Sequence, residues 1–177
     1  MTCSGTRNKR PAIGEERLRE LALAYVGRFA TTRARLVRYL ERKLRERGWE
    51  GEHQPDIEGL ASRFAELGYV DDAAYARMKG AAMGRRGLGP MRVRATLTAD
   101  GVDAPGRVDA EEQARAGRWE AAEILARRKR IGPYGTGEME RSTREKAIAM
   151  FLRAGHDMAT ARAWVDAQPG DFPERSE

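Results

Sequence analysis

Residues 67–76, LGYVDDAAYA, set two carboxylates side by side, Asp71 and Asp72, behind an aromatic ring. Paired acids serve general acid–base catalysis or cation binding when both point into one pocket with further polar partners. Neighbours on a chain usually point apart. This pair follows the helix ending FAELGY and precedes the helical AAYARM. One carboxylate is therefore expected to cap the new helix, worth about 1 kcal/mol, and the other to favour its positive dipole end. The rest of the chemical inventory is thin. His53 and His156 have no cysteine or histidine at ligand spacing, which argues against zinc. Both read as surface residues, His53 in the polar loop WEGEHQPD and His156 after a helix-ending glycine. GPYGTG (132–137) has no preceding strand and lacks the Gly-Lys-Ser/Thr ending of a phosphate loop. No catalytic residue, metal or cofactor is expected, and the chain is not read as an enzyme.

The elements that position these residues follow from composition and period. The 177 residues suit one or two domains, and 34% charged with 7% aromatic residues favour small, thin cores under a charged surface. Cys3 stands alone in a polar, basic N-terminal stretch, so no internal disulfide is possible. No apolar run approaches the roughly 18 residues of a membrane span, and the N-terminus lacks the apolar core of a secretory signal. A cytoplasmic protein is expected, with a flexible basic tail over residues 1–14.

Net charge is +6, which invites a polyanionic partner, and its distribution is more telling than its total. Residues 1–49 carry +8, 50–76 −6, 77–102 +5, 103–126 −3, 127–153 +5 and 154–177 −3. Alternation of this kind suggests a repeat. LERKLRERG, VRATLTADG and AIAMFLRAG place Leu40/Leu44/Gly48, Val93/Leu97/Gly101 and Ala147/Phe151/Gly155 at i, i+4 and i+8, the glycines 53 and 54 residues apart. An i, i+4 pair followed by glycine describes the last turns of an amphipathic helix, closed by a residue free to take positive φ.

Another helical segment precedes each basic helix, and an acidic one follows. Pro105 and Gly106 are expected to leave the second acidic helix short. The reading is all-α: three tandem three-helix repeats, helix-turn-helix-like modules at 15–68, 69–116 and 117–168, with a C-terminal tail at 169–177. No leftover heptad stripe suggests a coiled coil, so a monomer is the expectation.

Candidate contacts for an anionic partner are Arg35, Arg38, Arg42 and Lys43 in the first repeat and Arg85, Arg86, Arg92 and Arg94 in the second. The third offers Arg127, Arg128, Lys129, Arg130 and Lys146. Arg127 to Arg130 are consecutive and cannot all face one way on a helix. In GRRGLGP, backbone N–H groups at the helix start before Pro90 could hold a phosphate or carboxylate, and a plain flexible loop is the competing reading. The aromatics Tyr25, Phe29, Phe64, Tyr75, Phe151 and Trp164 fall on apolar helix faces and are assigned to the cores, with Trp49 the expected exception.

These residues also carry a resemblance. Gly68, Tyr69, Asp71, Asp72 and Tyr75 within LGYVDDAAYA, then RRGLGPMRVRATLTADGV (85–102), resemble the signature of the RecX family, bacterial regulators of the RecA recombinase. The likeness extends over about residues 17–167, through RLVRYLERKLRERG and REKAIAMFLRAGHDMATARAWV. It implies three three-helix repeats in a curved, elongated molecule. It further implies binding to the RecA filament on single-stranded DNA, with ATP hydrolysis, strand exchange and co-protease activity suppressed in recombinational repair and the SOS response. The alternative is a tandem three-helix DNA-binding protein acting without RecA. Weak direct DNA binding is the expectation beside the first reading, whereas the alternative predicts tight DNA binding without a recombinase, and no membrane partner is expected.

Overall fold

The computed structural model describes residues 11–137 and 139–174. Most of the expected N-terminal tail, Cys3 included, and residues 175–177 lie outside the described residues. Among those described, nine α-helices follow in order: α1 (Glu15–Val26), α2 (Arg33–Arg47), α3 (Ile57–Glu66), α4 (Asp72–Gly84), α5 (Pro90–Ala99), α6 (Ala104–Ala116), α7 (Arg118–Lys129), α8 (Arg141–Arg153) and α9 (Met158–Asp166). A 3-10 turn, Gly132–Tyr134, follows α7. The fold is all-helical, and none of these helices is long and apolar enough to cross a membrane.

Apolar stripes gather the helices in threes. Leu18 and Ala22 of α1 pack with Leu36, Val37 and Leu40 of α2 and Ala61 and Phe64 of α3. Tyr75, Ala76 and Met83 of α4 meet Val93 and Leu97 of α5 and Ala110 of α6. Trp119, Ala122, Leu125 and Ala126 of α7 enclose Phe151 of α8 with Ala161, Trp164 and Val165 of α9. The chain divides into two compact units, Met1–Asp72 and Ala73–Glu177, so the second and third clusters share one unit.

Local chemistry explains where the helices start. Asp56, Asp103 and Asp157 each accept a hydrogen bond from the backbone N–H three residues on, at 2.8, 2.9 and 2.7 Å, and so cap α3, α6 and α9. An aspartate in this place satisfies an N–H that the helix leaves orphaned and favours its dipole. Helix α6 is thereby 13 residues long, not the short helix expected. Pro105 sits in the first turn, where no intrahelical N–H is required, and Gly106 donates to the Asp103 cap. Thr32 caps α2 by accepting from Arg35 N–H at 3.1 Å. Asp72 adds a second acceptor there, taking the N–H of Arg33 at 2.8 Å from 39 residues away. It lies in the first turn of α4, as the dipole reading required, but its carboxylate also serves the start of α2.

Four expectations are corrected. Ile13, placed in the flexible tail, is fully buried in the first cluster, its N–H donating to the Gly48 carbonyl (3.0 Å) and its C=O accepting from Glu50 (3.2 Å). Val70, beyond the first expected boundary, packs in the same cluster. Trp49 packs against that cluster too and donates from Nε1 to the His53 carbonyl at 2.6 Å, so it is no exception among the aromatics. Phe29, assigned to the core, is 56% exposed: it lies beyond the end of α1 at Val26, and its ring rests against Tyr25 outside the first cluster.

In the second unit, two helix ends meet through bare backbone. Gly89 N–H donates to the Ala154 carbonyl (2.9 Å) and Met91 N–H to the Gly155 carbonyl (3.1 Å). The start of α5 thus supplies orphan donors to the orphan acceptors at the end of α8, positive dipole end to negative. A Cβ at Gly89 would overlap the Gly155 carbonyl, and one at Gly155, where φ is +93°, would overlap the backbone of Arg92. Gly48 has φ +83° but open space around it. Gly155→Ala is therefore expected to cost about 2–4 kcal/mol of unfolding free energy, strain and overlap together. Gly48→Ala should cost about 1–2 kcal/mol, from backbone strain alone at φ +83° and ψ 168°. Urea denaturation followed by circular dichroism measures both, and equal losses would remove the contact from the account.

Candidate interaction surface

Helix α2 displays the first set of basic candidates. Arg38 and Arg42 are exposed, while Arg35 and Lys43 are half-buried. Glu46 pairs with Lys43 at 2.7 Å and Arg42 at 3.7 Å, and both cations lie over the Tyr39 ring, 5.9 and 5.7 Å from its centroid. Tyr39 stacks on Tyr25 of α1 with centroids 4.1 Å apart.

In the second unit, Arg92 and Arg94 are exposed on α5. Arg94 reaches Glu111 of α6 at 3.8 Å, and Glu111 also pairs with Arg107 (3.0 Å) and Arg115 (3.2 Å). One carboxylate thus offsets part of the charge of three guanidinium groups. Arg85 and Arg86 are exposed after α4, and Arg128 of α7 donates to the Arg86 carbonyl at 3.0 Å.

The GRRGLGP segment is neither of the two things expected. It holds no open anion site, because the N–H groups of Gly89 and Met91 are already taken by the end of α8. Nor is it a plain flexible loop. Gly87, at φ +79°, lies so close to α7 that a Cβ there would press on Leu125 N and the Ala121 carbonyl, and Leu88 packs against the α4–α6 core.

His156 corrects another expectation. It is fully buried, not on the surface, with Nε2 3.1 Å from the Gly87 carbonyl. A carbonyl can only accept, so Nε2 carries the hydrogen, and Nδ1 has no hydrogen-bond partner. Burial lowers the imidazole pKa below its usual 6.5, against smaller upward pulls from the Gly87 hydrogen bond and Asp157. The glycine before it hid this role: Gly155 turns the chain back against Gly89, and the next side chain goes inward.

Arg127 to Arg130 are all exposed and diverge, as consecutive positions must. Arg128 turns to the Arg86 carbonyl, whereas Lys129 and Arg130 line a cleft of about 830 Å³ with Lys146 of α8. Sequence reasoning missed Arg144, which lines the same cleft and forms two hydrogen bonds to Asp166 at 2.6 and 2.7 Å. Its spacing from Asp166 gives no signal without the α8–α9 turn. Among the described residues no three His, Cys, Asp or Glu side chains form a group able to hold a metal ion. The cleft wall presents cations, Lys129, Arg130, Arg144 and Lys146.

Among the described residues, nine helices in three clusters, each with exposed basic side chains, define an all-helical protein with a charged surface. Known proteins make the class specific. Over 172 residues the chain is 32% identical to a "Regulatory protein RecX" of Myxococcus xanthus, covering 91% of each. A protein of the same name from Deinococcus radiodurans is 34% identical over 152 residues, 84% of this chain and 68% of that one. One from Stenotrophomonas maltophilia is 33% identical over 133 residues, 75% and 77%. The crystal structure of RecX from Lactobacillus salivarius matches 82% of this chain and 90% of its own, with TM-score 0.61 at 22% identity. A second crystal structure of regulatory protein RecX matches 82% and 68%, with TM-score 0.63 at 21% identity. No family model matches the chain. The chain belongs to the RecX family.

The His156 geometry makes stability depend on pH. Its folded pKa is depressed, so the unfolded chain takes up the proton first. The stabilisation is complete above about pH 6.5, the ordinary histidine value, and declines as pH falls from there toward the depressed folded value. Tm should drop between pH 7.5 and pH 5.5, and by less in His156→Gln than in the unaltered protein. Parallel Tm curves for the two would refute the assignment.

Proposed function

We propose that this protein binds the RecA nucleoprotein filament on single-stranded DNA and restrains its ATPase, strand-exchange and co-protease activities. It is read as a cytoplasmic, monomeric regulator in recombinational repair and the SOS response, with no catalysis of its own. The observation that carries this reading is family membership across 91% of the chain. Charge supports it: each expected repeat (15–68, 69–116 and 117–168) contains a basic helix, α2, α5 and α8, with exposed arginine or lysine. A filament offers the same acidic and phosphate-bearing surface at regular intervals, and repeated cationic faces suit such a partner.

The cleft cations are the contacts most open to test. Lys129 and Lys146 are exposed on its wall, and Arg127 is exposed two residues before Lys129 on α7. Arg128 is less suitable because its guanidinium also orders the Arg86 segment.

Single-strand-DNA-dependent ATP hydrolysis by the cognate RecA, titrated with this protein, measures the activity. Inhibition is expected at protein well below the RecA concentration, with weak binding to the same bare DNA at about 0.15 M salt. The combined variant Arg127→Glu, Lys129→Glu, Lys146→Glu should need about tenfold more protein for the same inhibition, with helicity unchanged. Inhibition only at concentrations that coat the DNA would favour the DNA-binding alternative.

A further inference from the structure

We propose that the exposed ring of Phe29, backed by Tyr25 and Tyr39, is a platform on which unpaired bases of single-stranded nucleic acid stack. It is a binding site in the first unit, separate from the cleft cations. Phe29 is 56% exposed and lies 5.4 Å, centroid to centroid, from Tyr25. Tyr25 in turn stacks on Tyr39 with planes 11° apart. The half-buried Tyr25–Tyr39 pair therefore supports the exposed Phe29 ring, which is tilted 49° to Tyr25.

An exposed phenylalanine alone is unremarkable on a protein surface. Its setting is what selects a ligand. Arg42 and Lys43 lie over the Tyr39 ring, at 5.7 and 5.9 Å from its centroid, beside the rings rather than across the helix from them. Glu46 pairs with both and offsets part of their charge. Helix α2 as a whole nevertheless carries Arg33, Arg35, Arg38, Arg42, Lys43, Arg45 and Arg47 against Glu41 and Glu46, a net of +5. Aromatic faces set in a cationic field are the elements that hold single strands, the rings taking bases and the cations phosphates.

Charge also argues against a second copy of this chain as the occupant. A two-fold contact would set one +5 helix against another, with like charges facing. A single strand has the opposite sign and offers a π-face at every nucleotide. Duplex DNA offers phosphates but keeps its bases stacked on one another.

The test uses the full chain and no recombinase, so its failure would leave the filament reading standing, and failure of that reading would leave this one. Anisotropy titrations compare fluorescein-labelled dT20 with an abasic 20-mer of equal charge, from 0.05 to 0.2 M salt. The unaltered protein should bind dT20 at least about fivefold more tightly than the abasic strand, since stacking adds to the phosphate contribution. Phe29→Ala, at an exposed position, should remove most of that preference without altering the salt slope, and Phe29→Trp should retain it. Arg42→Gln should flatten the salt slope while keeping a preference for bases. Equal binding of dT20 and the abasic strand, or full retention of the preference in Phe29→Ala, would overturn the platform. Competition by a 20-base-pair duplex as effective as that by dT20 would do the same.

Discussion

Two helix ends in direct backbone contact impose the tightest constraint in the second unit. The carbonyls of Ala154 and Gly155 receive the N–H groups of Gly89 and Met91, with no side chain between them. Both sets of groups would otherwise require water or caps, since a helix cannot satisfy its own ends. Closeness here determines much else. Gly87 must pass against α7 at positive φ, and the carbonyl it turns inward receives His156. Arg128 then closes over the Arg86 carbonyl. A basic segment that could have been an open loop is held as part of the packed structure.

The first unit is organised by a different device. Its α2 start is capped locally by Thr32 and at long range by Asp72, so a sequence-distant carboxylate closes a helix whose own first turn contains no acid. Capping also accounts for part of the charge alternation along the chain. Asp56, Asp103 and Asp157 open the helices that follow the basic ones, which places negative charge at the starts of α3, α6 and α9.

Much of this was legible in the residues. The i, i+4, i+8 pattern ending in Gly48, Gly101 and Gly155 marks three helix ends, and all three glycines have positive φ. Period and charge locate the helices, because both are local. What stayed hidden depends on contacts between residues far apart in sequence. His156 reads as a polar residue after a stop, and only the return of the chain against Gly89 buries it. The N–H groups before Pro90 look available until the end of α8 occupies them. Phe29 and Trp49 exchanged places for a related reason: helix α1 ends three residues before Phe29, whereas the bridge between Ile13 and Trp49 draws the tryptophan onto the core. Among the basic candidates, sequence named the charges but could not separate Arg94, tied to Glu111, from Lys129 and Lys146 at the cleft.

Alanine recurs throughout the cores. Ala22, Ala61, Ala76, Ala122, Ala126 and Ala161 are fully buried where helices pack. Trimming such positions removes little, since an alanine has one methyl group to lose. Enlarging them forces helices apart in interiors that are already close-packed. The molecule's tolerance to sequence drift is therefore lopsided. Its large anchors, such as Phe151 and Leu97, guard against cavities, but a gain of volume at an alanine is the more common threat, and it acts on helix spacing rather than on any single contact.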